Sequence, residues 1–111
     1  MHELSLCHAI AGVVKSHTAG RQVDVVRVQV GALRQVVPES LEFCWTLVRS
    51  HEDMPEAELE LELVPAEVRC GQCGHRGGLE SRWAVCCSRC RSGEVEVLRG
   101  NEFLVTSLDV T

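Results

Sequence analysis

The chain has 111 residues, of which 45% are hydrophobic and only 4% aromatic, and its formal net charge is −5. That length suits one domain or two small lobes around an aliphatic core. The acidic balance speaks against a nucleic-acid partner, and no apolar run approaches the roughly 20 residues that cross a membrane.

The first three residues, Met1-His2-Glu3, carry a small chemical signal. An α-amino group, the amide nitrogen of His2 and its imidazole can chelate one metal in consecutive rings, with a fourth donor from the amide or carboxylate of Glu3. Nitrogen donors in a plane suit Ni(II) or Cu(II). Three residues alone read first as a frayed terminus, with Glu3 as a helix-start carboxylate. Residues 3–19 then predict a helix, with Leu6, Ile10, Val13, Val14 and His17 on one face and Gly20 at its end. Cys7 is expected in the core, and His8 on the polar side.

Residues 23–30 alternate, with Val26, Val28 and Val30 on one face of a strand that Gly31 ends or bends. Pro38 starts a second helix, where its missing N–H costs nothing. Its expected buried stripe is Leu41, Cys44, Trp45 and Val48, widened by Phe43 and Leu47. A polar loop, residues 50–56, leads to a half-buried strand in which Glu58, Glu60 and Glu62 alternate with Leu59, Leu61 and Leu63. Pro65 stops it.

Cys70-Gly-Gln-Cys73 and Cys87-Ser-Arg-Cys90 follow, thirteen residues apart. Two C-x-x-C pairs at this spacing match a four-thiolate zinc site, because each tight turn brings two sulfurs to one ion. Disulfides are the bland alternative; seven cysteines and no secretory leader at the start argue against them and place the chain in the cytoplasm. Of the doublet Cys86-Cys87, only Cys87 has the right spacing to Cys90. Residues 68–100 hold six arginines against three glutamates, so a dianionic zinc–thiolate group would bring this stretch close to neutral. So small a lobe lacks a core of its own, and the metal would supply its folding energy. Val95 and Val97 mark a short strand, Gly100-Asn101 a turn, and residues 103–110 a last strand expected to return to the earlier ones.

The expected fold is therefore α+β: a lobe of two helices and a three-stranded sheet, residues 1–66 plus 100–111, with a zinc-ribbon-like lobe inserted at 67–99. Four cysteines leave zinc no open position, and no nucleophile–base pair stands out, so an enzyme is not expected.

Several stretches together resemble the HypA/HybF family of hydrogenase nickel-incorporation proteins. They are Met1-His2-Glu3-Leu4, Val30-Gly31-Ala32-Leu33, Val37 through Cys44, Ala57-Glu58-Leu59, both C-x-x-C pairs and Gly100-Asn101-Glu102-Phe103. The resemblance spans nearly the whole chain. It implies a metallochaperone that delivers nickel during [NiFe]-hydrogenase maturation, with a HypB-type GTPase and the hydrogenase large subunit as partners. In some organisms such proteins also serve urease maturation, and a homodimer is compatible with the resemblance. It implies Ni(II) at Met1, His2 and Glu3, and structural Zn(II) at Cys70, Cys73, Cys87 and Cys90, and so turns His2 from bystander to ligand. The chain departs from the family pattern in Arg91 after the second pair, where some members carry a histidine such as His75 after the first. It departs also in Ser88 and in the Cys86-Cys87 doublet. The alternative is a zinc-ribbon interaction module that binds no nickel.

Overall fold

The computed structural model describes residues 2–81 and 84–111. Its elements run α1 (Glu3–Thr18), β1 (Val23–Gly31), a 3-10 turn (Ala32–Arg34), α2 (Pro38–His51), β2 (Glu58–Val64), β3 (Glu67–Cys70), β4 (Arg76–Gly77), β5 (Val95–Arg99) and β6 (Phe103–Val110). Two three-stranded sheets form, in the orders β2-β1-β6 and β4-β3-β5. The α+β class and the return of the last strand to the first sheet agree with the sequence. The strands β3 and β4 have no counterpart there, because runs of four and two residues are too short to show a period.

By contact the chain divides into two compact units. One comprises Met1–Gln29, Val36–Glu62 and Leu104–Thr111; the other comprises Val30–Gln35 and Leu63–Phe103.

In the first unit α1 packs against α2. Trp45, Leu41 and Val48 are buried on α2, facing a core that includes Ile10, Val14, Val26 and Val28. The Trp45 indole N–H would be costly to bury unpaired, and it donates to the Ala57 carbonyl at 2.8 Å. Pro38 stands in the first turn of α2, as its chemistry requires. Among the described residues no helix is long and apolar enough to cross a membrane.

Both helical stripes differ from expectation. On α1 the buried residues are Cys7, Ile10, Ala11, Val14 and Thr18, while Val13 and His17 are exposed. The inward face is the one with small side chains, which lets two helices approach closely. Cys7 is buried, as expected; its thiol donates to the Leu41 carbonyl at 3.4 Å, and burial pushes its pKa up to about 12, so it packs as an uncharged group. On α2, Phe43 and Leu47 do not widen the buried stripe; they are exposed, and Cys44 is half-buried.

Leu59 and Leu61 are half-buried as the alternation requires, but at Leu63, where the chain passes into the second unit, the pattern inverts and Val64 is buried instead. The acidic face of β2 is engaged. Arg27 reaches Glu60 at 3.0 Å and makes a two-pronged bond to Asp109 of β6, and Gln29 donates to Glu62 at 3.0 Å. Arg27 holds the Asp109 carboxyl below its ordinary range. These side-chain pairs climb β1 and β2 together, the parallel sense, which needs a crossover connection such as α2 supplies.

In the second unit, β1 ends where another stretch of backbone passes very close. The Gly31 N–H donates to the Glu102 carbonyl at 2.7 Å, and the Leu33 N–H to the Gly100 carbonyl at 2.8 Å. A Cβ on Gly31 would lie 2.0 Å from the Gly100 carbonyl oxygen, which no rotamer change can relieve. Gly100 itself has φ +117° and lies against Ala66.

Gly31→Ala should therefore lower stability by about 3 kcal/mol or more, since backbone must move to admit the methyl group. Gly12→Ala is the control: Gly12 lies inside α1 with nothing within 4 Å of its added Cβ, so stability should rise by about 0.5–1 kcal/mol. Thermal and urea unfolding of both variants checks the pair.

Candidate metal centre

The strand β3 runs directly into the first cysteine, and each C-x-x-C pair folds into the same local structure. The Cys70 N–H donates to the His75 carbonyl at 2.8 Å, and the Gly74 N–H to the Cys70 carbonyl at 3.1 Å. In the second pair, the Cys87 N–H donates to the Ser92 carbonyl at 2.8 Å, and the Arg91 N–H to the Cys87 carbonyl at 2.9 Å. Position by position, Gly74 corresponds to Arg91 and His75 to Ser92. Both Gly74 and Arg91 adopt positive φ, +77° and +69°, which Gly accepts freely and Arg does not. A further bond ties the two turns together, from the Gly71 N–H to the Glu94 carbonyl at 2.7 Å.

This folding gathers the Sγ atoms of Cys70, Cys73, Cys87 and Cys90, all within 4.8 Å of one another. The Cys70–Cys90 separation is 3.6 Å and the Cys73–Cys87 separation 3.7 Å. A tetrahedron with Zn–S bonds of about 2.3 Å has edges of about 3.8 Å. A disulfide would need about 2.05 Å, and all seven cysteines are free thiols. The four-cysteine cluster therefore fits a zinc site. Cys86, its sulfur outside the group, is half-buried.

The cage is built to hold thiolates. The first cysteine of each pair is buried and the second exposed. Cys70 Sγ accepts the N–H groups of Gln72 at 3.3 Å and Cys73 at 3.4 Å; Cys87 Sγ accepts those of Arg89 and Cys90, both at 3.4 Å. Those donors, Cys90 first, draw the Cys87 thiol down to about 6, and the Cys73 N–H foremost lowers Cys70. The Ser92 N–H favours the Cys90 thiolate, but the crowd of sulfurs from Cys70, Cys73 and Cys87 outweighs it and pushes Cys90 up to about 12. Four sulfurs this close share protons unless a cation lies among them; a dication lets all four ionise. The backbone donors Gln72 and Arg89 were not legible as functional positions, because any residue type supplies an N–H.

The other site residues expected from the sequence lie at the start of α1. His2 occupies the N-cap position with φ −86° and ψ −7°, its side chain exposed, and its carbonyl accepts the Leu6 N–H at 2.9 Å. Glu3 opens the helix. Its carboxylate accepts the Val37 N–H at 3.4 Å, just ahead of α2. Its own N–H first, and then that of Val37, hold its pKa below the ordinary value. Met1 lies outside the described residues. Of the remaining histidines, His8 and His51 are exposed, and the His17 ring is tied to the Val13 carbonyl at 2.9 Å. Among the described residues, the four cysteines are the one cluster of three or more side chains spaced for a metal.

A family model described as HypA, hydrogenase/urease nickel incorporation, metallochaperone, matches residues 1–110. The chain is 34% identical over 119 residues to the hydrogenase maturation factor HypA of Desulfosudis oleivorans, spanning 99% of this chain and 98% of that one. It is 32% identical over 114 residues to the protein of the same name from Desulfatibacillum aliphaticivorans, spanning 99% of this chain and 87% of the relative. Among solved structures it is similar to the solution structure of the Ni metallochaperone HypA from Helicobacter pylori. The TM-score there is 0.69 at 21% identity, covering 99% of this chain and 97% of that one, a likeness of fold.

Cys73→Ser and Cys90→Ser should each lose zinc and render residues 63–103 sensitive to protease, while the helical circular-dichroism signal persists. Cys86→Ser should keep its zinc, as metal analysis will read. Arg91→Gly should stabilise the zinc-loaded protein by about 1 kcal/mol in chemical denaturation, because it relieves a left-handed backbone conformation.

Proposed function

We propose, for a chain that belongs to the HypA family of hydrogenase and urease nickel-incorporation metallochaperones, that it binds Ni(II) at its amino terminus and delivers it during [NiFe]-hydrogenase maturation. The donors are the α-amine of Met1, the amide nitrogen and imidazole of His2, and Glu3. Cys70, Cys73, Cys87 and Cys90 hold the structural Zn(II). The family's business is metal transfer rather than catalysis.

The observation that carries the nickel reading is the start of α1. An α-helix makes no internal use of its first N–H groups. With α1 beginning at Glu3 and the Leu6 N–H bonded to the His2 carbonyl, the amide nitrogens of residues 2 and 3 can become metal donors without breaking a bond of the helix. A bare dication at a helix N-terminus opposes the helix dipole. Two deprotonated amides would cancel that charge. The Glu3 carboxylate is already engaged by Val37, which favours its amide nitrogen as the fourth donor. A planar set of nitrogens suits Ni(II) and not Zn(II), so the two metals would be sorted by donor chemistry.

On this reading residues 1–66 plus 100–111 form the nickel lobe and residues 67–99 the zinc lobe. The partners are a HypB-type GTPase and the hydrogenase large subunit, or urease maturation proteins, and the work is done in the cytoplasm. An exposed terminal chelate suits a carrier, because a partner can displace its donors one at a time while the fold stays intact.

In untagged protein, isothermal titration should find one Ni(II) per chain beside one zinc. His2→Ala should abolish nickel binding with zinc content and unfolding curve unchanged, and one residue added before Met1 should weaken binding by moving the amine out of the chelate. Binding should fall in acid, where protons compete for the imidazole and amide nitrogens. A nickel affinity untouched by His2→Ala would overturn the terminal site, whereas one zinc and no nickel in the parent protein would make the zinc-ribbon interaction module the better description.

A further inference from the structure

Helix α2 carries two apolar stripes, and only one of them is used by the core. Leu41, Trp45 and Val48 face inward. Phe43 and Leu47, one turn apart on another face, are 65% and 55% exposed, and Leu4 at the start of α1 is 46% exposed. These three are not scattered. With Cys44 at its floor, they line one groove of about 450 Å³ between the first turns of α1 and the middle of α2, and Glu3 and Glu39 stand at its edge. A phenylalanine and two leucines converging on one concavity, in a chain whose aromatic content is only 4%, is an arrangement the core does not explain.

We infer that this groove is a docking site for an amphipathic helix of a partner protein, one that presents apolar side chains a turn apart flanked by Lys or Arg. The apolar floor takes the ridge of such a helix, in the manner of helix-in-groove recognition. The charge at the edge selects the flanks. Glu3 and Glu39 both line it, and Glu42 is exposed on the neighbouring face of α2, while none of the described residues lining the groove is Lys, Arg or His. The same charge argues against a second copy of this chain: a twofold pairing through the groove would set these carboxylates against themselves in a protein that already carries −5. An acidic or uncharged helix gains the apolar contact alone. The apolar side chains provide affinity and the rim sets the on-rate and the choice of partner. Glu3 belongs both to this rim and to the terminal chelate, whereas Phe43 and Leu47 belong to the groove alone.

The test uses the full chain, zinc-loaded and untagged, with two synthetic 16-residue helical peptides as probes. One has leucines at i, i+4 and i+7 flanked by lysines; the other has the same leucines flanked by glutamates. Fluorescence anisotropy should show the lysine peptide binding at least about tenfold more tightly than the glutamate peptide at low salt, with the gap narrowing as salt is added. Phe43→Ser and Leu47→Ser should each weaken the lysine peptide by about tenfold or more, and Glu39→Lys should narrow the preference. Because Phe43 and Leu47 are exposed, these variants should unfold like the parent and bind nickel like the parent, which separates this site from the terminal chelate. Failure of the lysine peptide to bind, equal binding of both peptides, or indifference to Phe43→Ser overturns the inference. So does a dimer in sedimentation that Phe43→Ser dissolves, since the groove would then belong to a second copy.

Discussion

Four sulfur atoms within 4.8 Å of one another set the strongest constraint on this chain. Thiolates repel at that range, and thiols that stay protonated forfeit the N–H bonds directed at Cys70 and Cys87. A dication resolves both problems at once. Much else in the second unit follows from this. Its buried side chains are few, chiefly Val30, Val64, Val68 and the two inner cysteines, and its strands β3, β4 and β5 are four, two and five residues long. Sheets of that size do not hold by apolar burial; here one end runs into the four-cysteine cluster, where a metal ion would tie it off, and the other meets close glycine backbone.

The two turns of the cage show how fully geometry can override local preference. Gly74 and Arg91 perform the same task in corresponding places, one at no cost and one with strain. A chain that tolerates Arg at a left-handed position draws the energy from elsewhere, and a metal ion held by the four-cysteine cluster would be its nearest source. Arg91 also lies 3.7 Å from Glu80, but both partners are well exposed, and such a pair contributes little.

Legibility in the sequence followed the kind of information each feature needs. The four-cysteine cluster was readable because metal ligands must be specific side chains at a specific spacing. The strand β1 was readable because a period of two is unambiguous in Val26, Val28 and Val30. The helical faces were read less well. Ile10 and Val14 are buried as expected, but Val13, Phe43 and Leu47 carry more hydrophobicity than Ala11 and Thr18, so a count of apolar residues rotates the expected face of α1 and merges two stripes on α2. What decides the inward face is the close approach of α1 to α2, and small residues allow it. Gly31 was recognised as an end of β1, but the passage of Gly100 against it joins residues far apart in the chain and leaves no local trace.

The amino terminus was the least legible part, for a different reason. In the chelate proposed there, made of an amine, amide nitrogens and one imidazole, most donors would be backbone atoms that every chain possesses, and only His2 and its place would distinguish this one. Its chemistry also complements the cage. A closed shell of four thiolates holds a soft or borderline ion and offers no vacant position, which suits a metal that must stay. The terminal set proposed for nickel is held by the first residues of a helix, outside the core, which suits a metal that must leave. Affinity alone would not keep the two ions apart, since selectivity among divalent metals is set by geometry and ligand type rather than by raw affinity. On the reading proposed above, sorting would follow from geometry: thiolates in a tetrahedron between residues 70 and 90, and nitrogens free to lie in a plane at the amino terminus.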